Sequence, residues 1–325
     1  MKVGVDVTPL ALTRAGTARY LRNLLVRLPQ EADVRTLAFG GAGRAAVLAR
    51  ELVWYPHWLG RMAAHQGLDV LHCPTYYAPL AARVPVVVTV HDLAVFRHPQ
   101  AFGRWTRSFV PRAVPRMLRA AARVIAVSEF TRGELVALAG VPEERIRVIP
   151  NAVEDVFRPE GDAAAGEYVL AVGTLEPRKN LPRLAEAARR AGRELRVVGE
   201  AGWGGVRLDG TRVLGRVGDE ELASLYRGAL CLAYPSLYEG FGIPVLEALA
   251  CGTPVVTSRG GATEEVAGGA AVLVDPLDVD SIGAGIEEAI ARRGELRERG
   301  LARAAAFSWE EAARRTVDVY REAVE

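Results

Sequence analysis

Cysteine and lysine are both scarce in this chain of 325 residues. The three cysteines, Cys73, Cys231 and Cys251, are odd in number and far apart, which fits neither a disulfide framework nor the paired spacing of a zinc motif. We therefore expect a reducing, cytoplasmic compartment. Of the 41 basic residues only Lys2 and Lys179 are lysines. A lysine retained where arginine is the default indicates a need for a compact ammonium, although chance survival at an exposed position explains it as well.

Long apolar runs and an excess of one charge are missing too. No stretch approaches the ~20 apolar residues that span a bilayer, and no signal-peptide pattern precedes the first strand-like run. We expect at most peripheral membrane contact, at the inner face. The net charge of +2 argues against a nucleic-acid partner. The first predicted strand-to-helix turn also lacks the three-glycine dinucleotide fingerprint, which argues against an oxidoreductase.

Strand-like apolar runs alternate with amphipathic segments along the chain, a pattern typical of doubly wound α/β domains. Strands are predicted at 2–7, 33–39, 69–72, 85–90, 123–127, 145–149, 168–173, 194–199, 230–234, 254–257 and 270–274. Helices are predicted at 17–28, 44–65, 104–121, 129–139, 180–191, 219–228, 243–250, 262–267, 280–292 and 308–324. The pattern breaks in the proline-containing, acidic stretch 151–166, which predicts a linker.

The linker divides the chain into an N-terminal domain, 1–157, and a C-terminal domain, 158–307, followed by a closing helix, 308–325. Ligands of open parallel sheets bind beyond the carboxyl ends of the strands. Two such domains joined by one linker predict a site in the cleft between them.

The stretch SLYEGFGIPVLEALACGTPVVT at 236–257 holds two glutamates, Glu239 and Glu247, on either side of a glycine-rich turn. Gly242 and Pro244 favour a helix that begins near residue 243. Free N–H groups and the positive end of a helix dipole then lie between the two carboxylates. The arrangement suits a phosphate flanked by two hydroxyl-binding acids, as in a sugar nucleotide.

Other interpretations of Glu239 and Glu247 are a loop acid with a solvated helix acid, and a glycosidase-like pair of acid and base. The apolar residues around Glu247 leave little room for a solvated helix face. A glycosidase pair needs both carboxyl groups at one bond, whereas here one precedes the helix and the other lies inside it.

The residues EGFGIPVLEALACGTPVV, with GTLEPRKNL at 173–181, VHD at 90–92 and VSEFTR at 127–132, resemble the retaining family-four glycosyltransferases of the GT-B fold. The motifs occur in the family's order and cover almost the whole chain. The resemblance implies two Rossmann-like doubly wound domains that face each other across a cleft, with a C-terminal helix that packs back on the N-terminal domain.

The resemblance also implies a reaction. A hexosyl group moves from a nucleoside-diphosphate sugar to a hydroxyl acceptor with retention at the anomeric carbon; the donor is a co-substrate and no cofactor is expected. GTLEPRKNL and VHDLAVFRHPQ most resemble mannosyltransferases of polysaccharide assembly, which favours GDP-mannose as donor and a glycan or lipid-linked glycan as acceptor.

In the C-terminal domain the resemblance assigns Glu239 to the donor-sugar hydroxyls and Glu247 to the ribose hydroxyls. Backbone N–H groups of the turn Gly240, Phe241, Gly242 and Ile243 are assigned to sugar and phosphate. Lys179 is assigned to the charge of the leaving diphosphate. Many family members carry an arginine directly after the strand glycine, where this chain has Thr174, so Arg178 is the nearest second cation; a surface salt bridge is its alternative role. Glu200, with Gly199 and Gly202, is assigned to the nucleotide pocket.

In the N-terminal domain the resemblance assigns His91 to the donor sugar near the reacting centre and Asp92 to the acceptor or to loop orientation. Gly16, in the loop Thr13–Ala18, matches a glycine-rich loop that closes on the donor, although one glycine also fits an ordinary turn. Arg132 is assigned to phosphate, and Ser128 serves either this site or only as a helix N-cap.

No metal is expected. Asp278-Val279-Asp280 resembles the metal-binding DxD of another glycosyltransferase fold, but it directly precedes a predicted helix and is assigned to capping. The segment 102–123 interleaves arginines with Trp105, Phe109 and Met117. It suits either an anionic membrane or lipid phosphate, or a simple surface helix.

Two other functions stay open on the sequence. The first is a sugar-nucleotide epimerase or a phosphorylase of the same architecture; an epimerase acts without an acceptor, and a phosphorylase usually needs a larger chain. The second is a nucleotide-sugar-binding subunit without catalysis, for which the expected replacement of Lys179 or the glutamates is absent.

Overall fold

The computed structural model of the chain describes residues 1–12, 16–28, 32–41, 43–208 and 210–325, which form two compact units. Unit 1 comprises Met1–Asn151 with Ser308–Glu325, and unit 2 comprises Ala152–Phe307. Unit 2 thus begins before the predicted boundary at 157–158. Phe157, the last residue of the predicted N-terminal domain, packs within unit 2, where its ring meets the Tyr226 ring edge-on at a centroid distance of 6.0 Å.

Unit 1 contains a six-stranded parallel sheet in the order β2-β1-β3-β4-β5-β6. Its strands are β1 (Lys2–Asp6), β2 (Asp33–Leu37), β3 (Val70–Cys73), β4 (Val86–Val90), β5 (Arg123–Ala126) and β6 (Ile146–Val148). Its helices are α1 (Thr8–Leu12), α2 (Gly16–Arg27), α3 (Arg44–Ala49), a π-helical segment (Arg50–Trp58), α4 (Leu59–His65), α5 (Ala94–Arg97), α6 (Arg104–Ala120) and α7 (Glu129–Ala139), with 3₁₀ turns at Pro99–Ala101 and Glu143–Arg145. β3 and β4 are buried at every position, as central parallel strands covered on both faces require.

Unit 2 contains a second parallel sheet in the order β12-β11-β10-β7-β8-β9. Its strands are β7 (Tyr168–Val172), β8 (Glu194–Val198), β9 (Arg212–Gly215), β10 (Cys231–Tyr234), β11 (Val255–Ser258) and β12 (Val272–Val274). Its helices are α8 (Leu181–Arg190), α9 (Asp219–Gly228), α10 (Ile243–Ala250), α11 (Ala262–Ala267), α12 (Val279–Ala291) and α13 (Arg293–Ala304), and a 3₁₀ turn covers Pro177–Lys179. The strand order reverses between β7 and β10, and such a switch point is where open α/β sheets bind ligands.

The last helix, α14 (Trp309–Val324), belongs to unit 1 although it follows unit 2 in sequence. The Tyr320 hydroxyl lies 2.7 Å from Nδ1 of His72, a buried residue of β3. Nε2 of His72 lies 2.8 Å from the Thr89 hydroxyl, which lies 3.1 Å from the Tyr20 hydroxyl. A fully buried polar chain thus fastens the C-terminal helix to the sheet.

The predicted fold class, two doubly wound Rossmann-like domains, is confirmed, and the predicted strands and helices lie within a few residues of those observed. The sequence pattern missed α1, α5, α13 and β9. α1 and α5 span barely one turn, β9 is a partly exposed edge strand, and α13 is strongly polar. Among the described residues no helix is long and apolar enough to cross a membrane.

Candidate active site

Two loops at the switch point of unit 2 carry the residues for which the sequence analysis predicted donor chemistry. One loop follows β7 and ends in the turn Pro177–Lys179 before α8; the other follows β10 and leads to Glu239 and α10. Because β7 and β10 are hydrogen-bonded neighbours, their carboxyl ends bring these loops together. The loops are joined directly where the Leu237 amide donates to the Arg178 carbonyl at 2.8 Å.

The glycine after β7 makes room for the Lys179 side chain. Gly173 has a φ of 147°, and a Cβ there would lie 3.1 Å from Cε of Lys179. Gly199, at the end of the neighbouring β8, approaches so closely that its Cβ would lie 1.9 Å from the Gly173 carbonyl oxygen. A side chain at Gly199 would displace the backbone of Gly173, and a side chain at Gly173 would press on the Lys179 side chain itself.

Lys179, Glu239 and Tyr234 form the centre of the cluster. The Lys179 ammonium lies 2.6 Å from Oε1 of Glu239, and it also donates to the Tyr234 hydroxyl. That hydroxyl donates to the same carboxylate oxygen at 3.0 Å. The Lys179 and Glu239 side chains are each only 11% exposed, so the interaction is largely shielded from water.

Arg178 holds the other oxygen of Glu239. Its Nη1 lies 3.0 Å from Oε2 of Glu239 and donates to the Tyr238 carbonyl at 2.7 Å. Its Nη2 donates to the buried carboxylate of Glu176 at 2.6 Å. Arg178 is therefore part of a sheltered ionic cluster and not of an exposed surface pair. This chain has Thr174 directly after the strand glycine, where many family members have an arginine, and Arg178 provides a cation in the same loop.

The charges around Glu239 decide its protonation. Burial by itself would raise the pKa of this carboxyl group, but the positive charges of Arg178 and Lys179 and its hydrogen bonds lower the pKa to about 2. Burial lowers the pKa of the Lys179 ammonium, and the Glu239 charge partly offsets that effect. At neutral pH Glu239 is thus an ionised acceptor held between two cationic donors.

Asn180 fixes the end of the Lys179 loop. It has a φ of 58°, and among the residues that the structure describes it is the one non-glycine with positive φ. Its side-chain amide donates to the Pro235 carbonyl at 3.0 Å and to the Pro276 carbonyl at 2.6 Å. These bonds offset the cost of a left-handed residue and tie together the loops after β7, β10 and β12.

The glycine-rich turn leads into α10, which begins at Ile243 as the sequence predicted. Gly242 is its N-cap, with a φ of 96° and without any side chain that caps the helix. A Cβ at Gly242 would lie 2.7 Å from Cγ2 of Thr263. The site therefore contains a helix N-terminus whose N-cap residue offers no side-chain cap, which favours an anion.

Glu247 lies inside α10 and is almost completely buried. Its Oε2 accepts a hydrogen bond from the Tyr226 hydroxyl at 2.7 Å. The alternative interpretation of Glu247 as a solvated helix acid is wrong. A neighbour in the glycine-rich turn, Phe241, is also buried, and its ring meets Phe307 edge-on at 6.0 Å.

Glu200 lies beside the loop after β7, where its carbonyl oxygen accepts from the Leu175 amide at 2.9 Å. Its side chain is exposed. Gly202 packs closely against the same loop, because a Cβ there would lie 2.6 Å from Cγ2 of Thr174.

His91 follows β4 in unit 1 and is half-buried. Its Nε2 lies 3.1 Å from the Pro74 carbonyl oxygen, and its ring meets the Tyr20 ring edge-on at 4.9 Å. Burial lowers the pKa of His91 to about 4, although Asp92 and the Pro74 carbonyl act in the opposite direction. The imidazole is therefore neutral at pH 7, with its proton on Nε2 and a lone pair on Nδ1.

The other predicted residues of unit 1 have local partners. The Asp92 carboxylate accepts from the Ala94 amide at 2.9 Å. Arg132 pairs with Glu129 at 2.7 Å and with Glu143 at 3.5 Å. Ser128 is the N-cap of α7, one of its two predicted roles. Gly16 is the first residue of α2; residues 13–15 of its predicted loop lie outside the described residues.

The acidic motif before α12 does cap its helix, as predicted. The Asp278 side chain accepts from the Asp280 amide at 2.9 Å, and the Asp280 carboxylate pairs with Arg190 at 2.9 Å. Within the described ranges no cluster of three or more His, Cys, Asp and Glu side chains is arranged to hold a metal ion.

Sequence reasoning missed Tyr234 and Tyr226, the two hydroxyl groups that contact the glutamates. Tyr234 is the last residue of β10 and Tyr226 lies in α9. A polar aromatic residue at the carboxyl end of a buried strand next to a switch point is a usable signal for Tyr234. Tyr226 resembles any core aromatic of an amphipathic helix, so the sequence carries no signal for it.

Two family descriptions match the chain. "Glycosyltransferase Family 4" matches residues 14–157 and "Glycosyl transferases group 1" matches residues 153–306. The chain is 34% identical over 282 residues to O-antigen chain mannosyltransferase B of Escherichia coli, a match that covers 78% of this chain and 74% of the relative. It is 30% identical over 275 residues to MMP alpha-(1->4)-mannosyltransferase of Mycolicibacterium hassiacum, which covers 74% of this chain and 66% of that relative.

Solved structures share the fold. Sucrose-phosphate synthase from Thermosynechococcus elongatus superposes with a TM-score of 0.78 at 20% identity, over 99% of this chain and 98% of that one. The Anabaena protein HepE, solved in complex with UDP-glucose, superposes with a TM-score of 0.74 at 20% identity, over 98% of both chains.

Proposed function

We propose a specific reaction on the premise that this chain belongs to the family-four glycosyltransferases of the GT-B fold. It transfers a hexosyl group from a nucleoside-diphosphate sugar to a hydroxyl acceptor with retention at the anomeric carbon. The observation that carries the proposal is the cluster in which Lys179 and Arg178 flank the Glu239 carboxylate. Two sheltered cations suit a diphosphate, and an ionised carboxylate suits sugar hydroxyls.

The donor is GDP-mannose in this proposal. Both relatives described above are named mannosyltransferases, and the motifs GTLEPRKNL and VHDLAVFRHPQ favour the same sugar. HepE, whose structure contains UDP-glucose, supports a nucleotide sugar as the donor class and makes UDP-glucose the comparison to test.

Each residue near the switch point receives one role. Lys179 and Arg178, with the turn Gly240 to Ile243 and the N-terminus of α10, stabilise the diphosphate as its charge develops. Glu239 binds hydroxyls of the transferred sugar and Glu247 binds the ribose. Preorganised charges of this kind supply much of the stabilisation of a transition state in which charge develops on a leaving group. Two protein cations take the part of a metal, so the reaction is metal-independent.

Donor binding must rearrange the ion pairs that Glu239 makes with Lys179 and Arg178. With two cations on one carboxylate, an incoming diphosphate exchanges one set of charge-assisted bonds for another and does not expose bare charges. The acceptor oxygen bonds to the anomeric carbon on the face from which the diphosphate leaves. The bond between that carbon and the leaving phosphate oxygen breaks, and this phosphate oxygen takes the acceptor proton, so no protein nucleophile is needed.

His91 contacts the transferred sugar through Nδ1. Its Nε2–H is engaged by the Pro74 carbonyl, and its lowered pKa keeps the ring neutral, so Nδ1 accepts a hydrogen bond from a sugar hydroxyl. Gly16 and Arg132 also contact the donor. Arg132 must first break its ion pair with Glu129 before it can bind phosphate. Glu200 lines the nucleotide pocket.

The acceptor is a glycan or a lipid-linked glycan, and Asp92 contributes to its site. We place the reaction in the cytoplasm, with peripheral association at the inner face of the membrane. All three cysteines are unpaired and buried, which supports a reducing compartment.

The test is release of nucleoside diphosphate from GDP-mannose, UDP-glucose and ADP-glucose, each with and without mannose-terminated acceptors, followed by NMR of the product's anomeric configuration. We expect release only with acceptor, an α-linked mannoside from GDP-mannose, and no effect of a chelator. An epimerised sugar from donor alone would establish the epimerase alternative. Donor binding without turnover under every condition would establish the non-catalytic one.

A further inference from the structure

Tyr234 holds its hydroxyl at a fixed place beside the candidate active site. It is the last residue of β10, an inner strand of the unit 2 sheet, and it is almost completely buried. β11 pairs with this strand in parallel register, and the Thr257 hydroxyl of β11 donates to the Tyr234 carbonyl at 3.1 Å. Because the sheet holds the backbone and close packing holds the ring, the hydroxyl has little freedom to move.

Lys179, in contrast, reaches the site from a loop. It ends the 3₁₀ turn Pro177–Lys179, and its stem passes against Gly173, where a Cβ would lie 3.1 Å from Cε and 3.5 Å from Cγ of the lysine. A lysine stem is flexible and loses much rotamer freedom when it is ordered. The ammonium therefore depends on its polar partners for a defined position.

The Tyr234 hydroxyl connects the lysine and the glutamate of the cluster. It accepts a hydrogen bond from the Lys179 ammonium and donates to Oε1 of Glu239 at 3.0 Å. An ammonium only donates and an ionised carboxylate only accepts, so the two charges determine the direction of both bonds. Burial and the Glu239 charge raise the pKa of Tyr234 well above its ordinary value, so the hydroxyl keeps its proton.

Donor binding changes the partners of both charged residues. In the proposed function the Lys179 ammonium turns to the diphosphate and Glu239 turns to the sugar hydroxyls, so the ion pair of 2.6 Å between them opens. Glu239 has a second anchor in Arg178, which holds its Oε2 at 3.0 Å. The corresponding second anchor of Lys179 is the Tyr234 hydroxyl.

A neutral hydroxyl suits this task better than another carboxylate would. A carboxylate competes with the diphosphate for the ammonium because both are anions, whereas a hydroxyl offers a lone pair without a net charge. An ammonium has three donor hydrogens, so a bond to Tyr234 is compatible with bonds from the same nitrogen to phosphate oxygens. The cation then faces the leaving group with its position already defined, which lowers the reorganisation that the reaction requires.

We propose that Tyr234 is a positioning residue of the transfer reaction, whose hydroxyl keeps the Lys179 ammonium aligned while the diphosphate replaces Glu239 as its anionic partner. The inference rests on the proposed function, in which Lys179 stabilises the leaving diphosphate. Tyr234 acts through the lysine and not on the substrates. The competing role is that of a core tyrosine whose hydroxyl only stabilises the fold, and the two roles lead to different kinetics.

The experiment is a double-mutant cycle in the full chain with Tyr234→Phe, Lys179→Ala and both changes together. The measured quantities are kcat and KM for whichever of GDP-mannose, UDP-glucose and ADP-glucose the parent turns over fastest with a mannose-terminated acceptor. We expect Tyr234→Phe to lower kcat/KM by about 10- to 100-fold, the usual effect of a hydrogen bond to a charged group. The loss should fall mainly on kcat, because charge on the diphosphate grows as its bond to the sugar breaks.

The second arm of the cycle separates positioning from folding. In the Lys179→Ala background Tyr234→Phe should lower kcat/KM by less than about twofold, because the ammonium that it positions is gone. Tyr168→Phe is the matched control. Tyr168 is also a buried tyrosine of unit 2, its hydroxyl donates to the Leu225 carbonyl at 2.7 Å, and it begins β7 at the end of the strand away from the site. This variant should keep the kcat and KM of the parent, and urea unfolding measures what each hydroxyl contributes to the fold.

The outcomes distinguish this inference from the function on which it rests. Parent-like kinetics of Tyr234→Phe, or an equal fold-loss from that change in the parent and in Lys179→Ala, would overturn the inference, because the hydroxyl would then serve the fold alone. If Lys179→Ala loses activity while Tyr234→Phe does not, the proposed function stands and only the role of Tyr234 is refuted. Full activity of Lys179→Ala, or no turnover by the parent, would refute the proposed function and the inference with it.

Discussion

The ammonium of Lys179 lies 2.6 Å from the carboxylate of Glu239, a residue 60 positions further along the chain. The two residues arrive from adjacent strands on either side of the switch point of unit 2. Because Arg178 holds the second carboxylate oxygen, the two cations of the site share one carboxylate. Several consequences of this cluster and of its supports are measurable.

Replacing the lysine of this pair tests the diphosphate role. We expect Lys179→Ala to lower kcat/KM for the nucleotide sugar by about 10²- to 10³-fold, the usual loss on removing one donor to a developing charge. Lys179→Arg should also lose activity, since a planar guanidinium does not reproduce the contacts that the compact ammonium makes with Glu239 and Tyr234. Steady-state kinetics of nucleoside-diphosphate release provides the measurement. Lys2→Ala, at the chain's other lysine, is the control, and equal rates for both alanine variants would exclude the role.

Neutralising the carboxylate tests how far the cluster also supports the fold. Glu239→Gln leaves two sheltered cations without their shared anion, and we expect the free energy of unfolding to fall by about 3 kcal/mol. Urea unfolding measures it. The control is Glu310→Gln, which breaks the pair with Arg27, where the glutamate is 73% exposed; that loss should stay below about 1 kcal/mol. Similar losses in both variants would mean that the cluster is effectively solvated.

The start of α10 can be tested through its N-cap glycine. Gly242→Ala places a side chain at φ 96° and 2.7 Å from Thr263, so we expect a loss of about 2 kcal/mol in stability and weaker binding of nucleoside diphosphate. Calorimetric titration with GDP and UDP gives the affinity. Gly294→Ala in α13 has no neighbour within 4 Å and should be neutral or slightly stabilising. Unchanged nucleotide affinity in Gly242→Ala would separate this helix end from the binding site.

Two histidines of unit 1, the buried His72 and the half-buried His91, predict acid sensitivity. Burial lowers the pKa of His72 to about 3 and that of His91 to about 4, from an ordinary value of 6.5. The folded state therefore favours the neutral rings; their contribution is complete above pH 6.5 and is lost as the pH falls towards those values. Asp6, whose pKa burial raises to about 6, shifts stability in the opposite direction.

The pH dependence of stability in the parent and in His91→Gln can be compared to separate the histidine contribution from that of Asp6. Between pH 7 and pH 5 the parent should lose roughly 2 kcal/mol more stability than His91→Gln, as measured by urea unfolding at both pH values. His65→Gln, at an exposed histidine, should keep the parent's pH dependence. The idea fails if His91→Gln and the parent lose the same stability on acidification.

The C-terminal helix offers a purely structural test. Tyr320→Phe removes the hydroxyl that meets Nδ1 of His72 and leaves that buried ring nitrogen without its partner. We expect a loss of about 1–3 kcal/mol in unfolding free energy, with nucleotide affinity unchanged because unit 2 is untouched. Tyr320 lies in unit 1, which the chain re-enters after Phe307, the last residue of unit 2. A stable Tyr320→Phe variant would mean that apolar contacts alone fasten the helix.

The sequence by itself determined the features that depend on a few neighbouring residues. Alternating apolar periods specified two doubly wound sheets, and Gly242 with Pro244 specified a helix that starts at Ile243, because backbone freedom and helix capping act over a few residues. The motif order also indicated Lys179, Arg178, Glu239 and Glu247 as one functional set.

Only the tertiary structure decided how that set is connected. The sequence assigned Lys179 and Glu239 to different parts of a ligand, whereas the fold places them in direct contact and adds Tyr234 between them. It buries Glu247 against Tyr226, and it makes residues 50–58 a π-helical segment, which an amphipathic pattern does not distinguish from an α-helix. Each of these depends on strand order, burial and desolvation, which arise from residues far apart in the chain and are therefore invisible to local patterns.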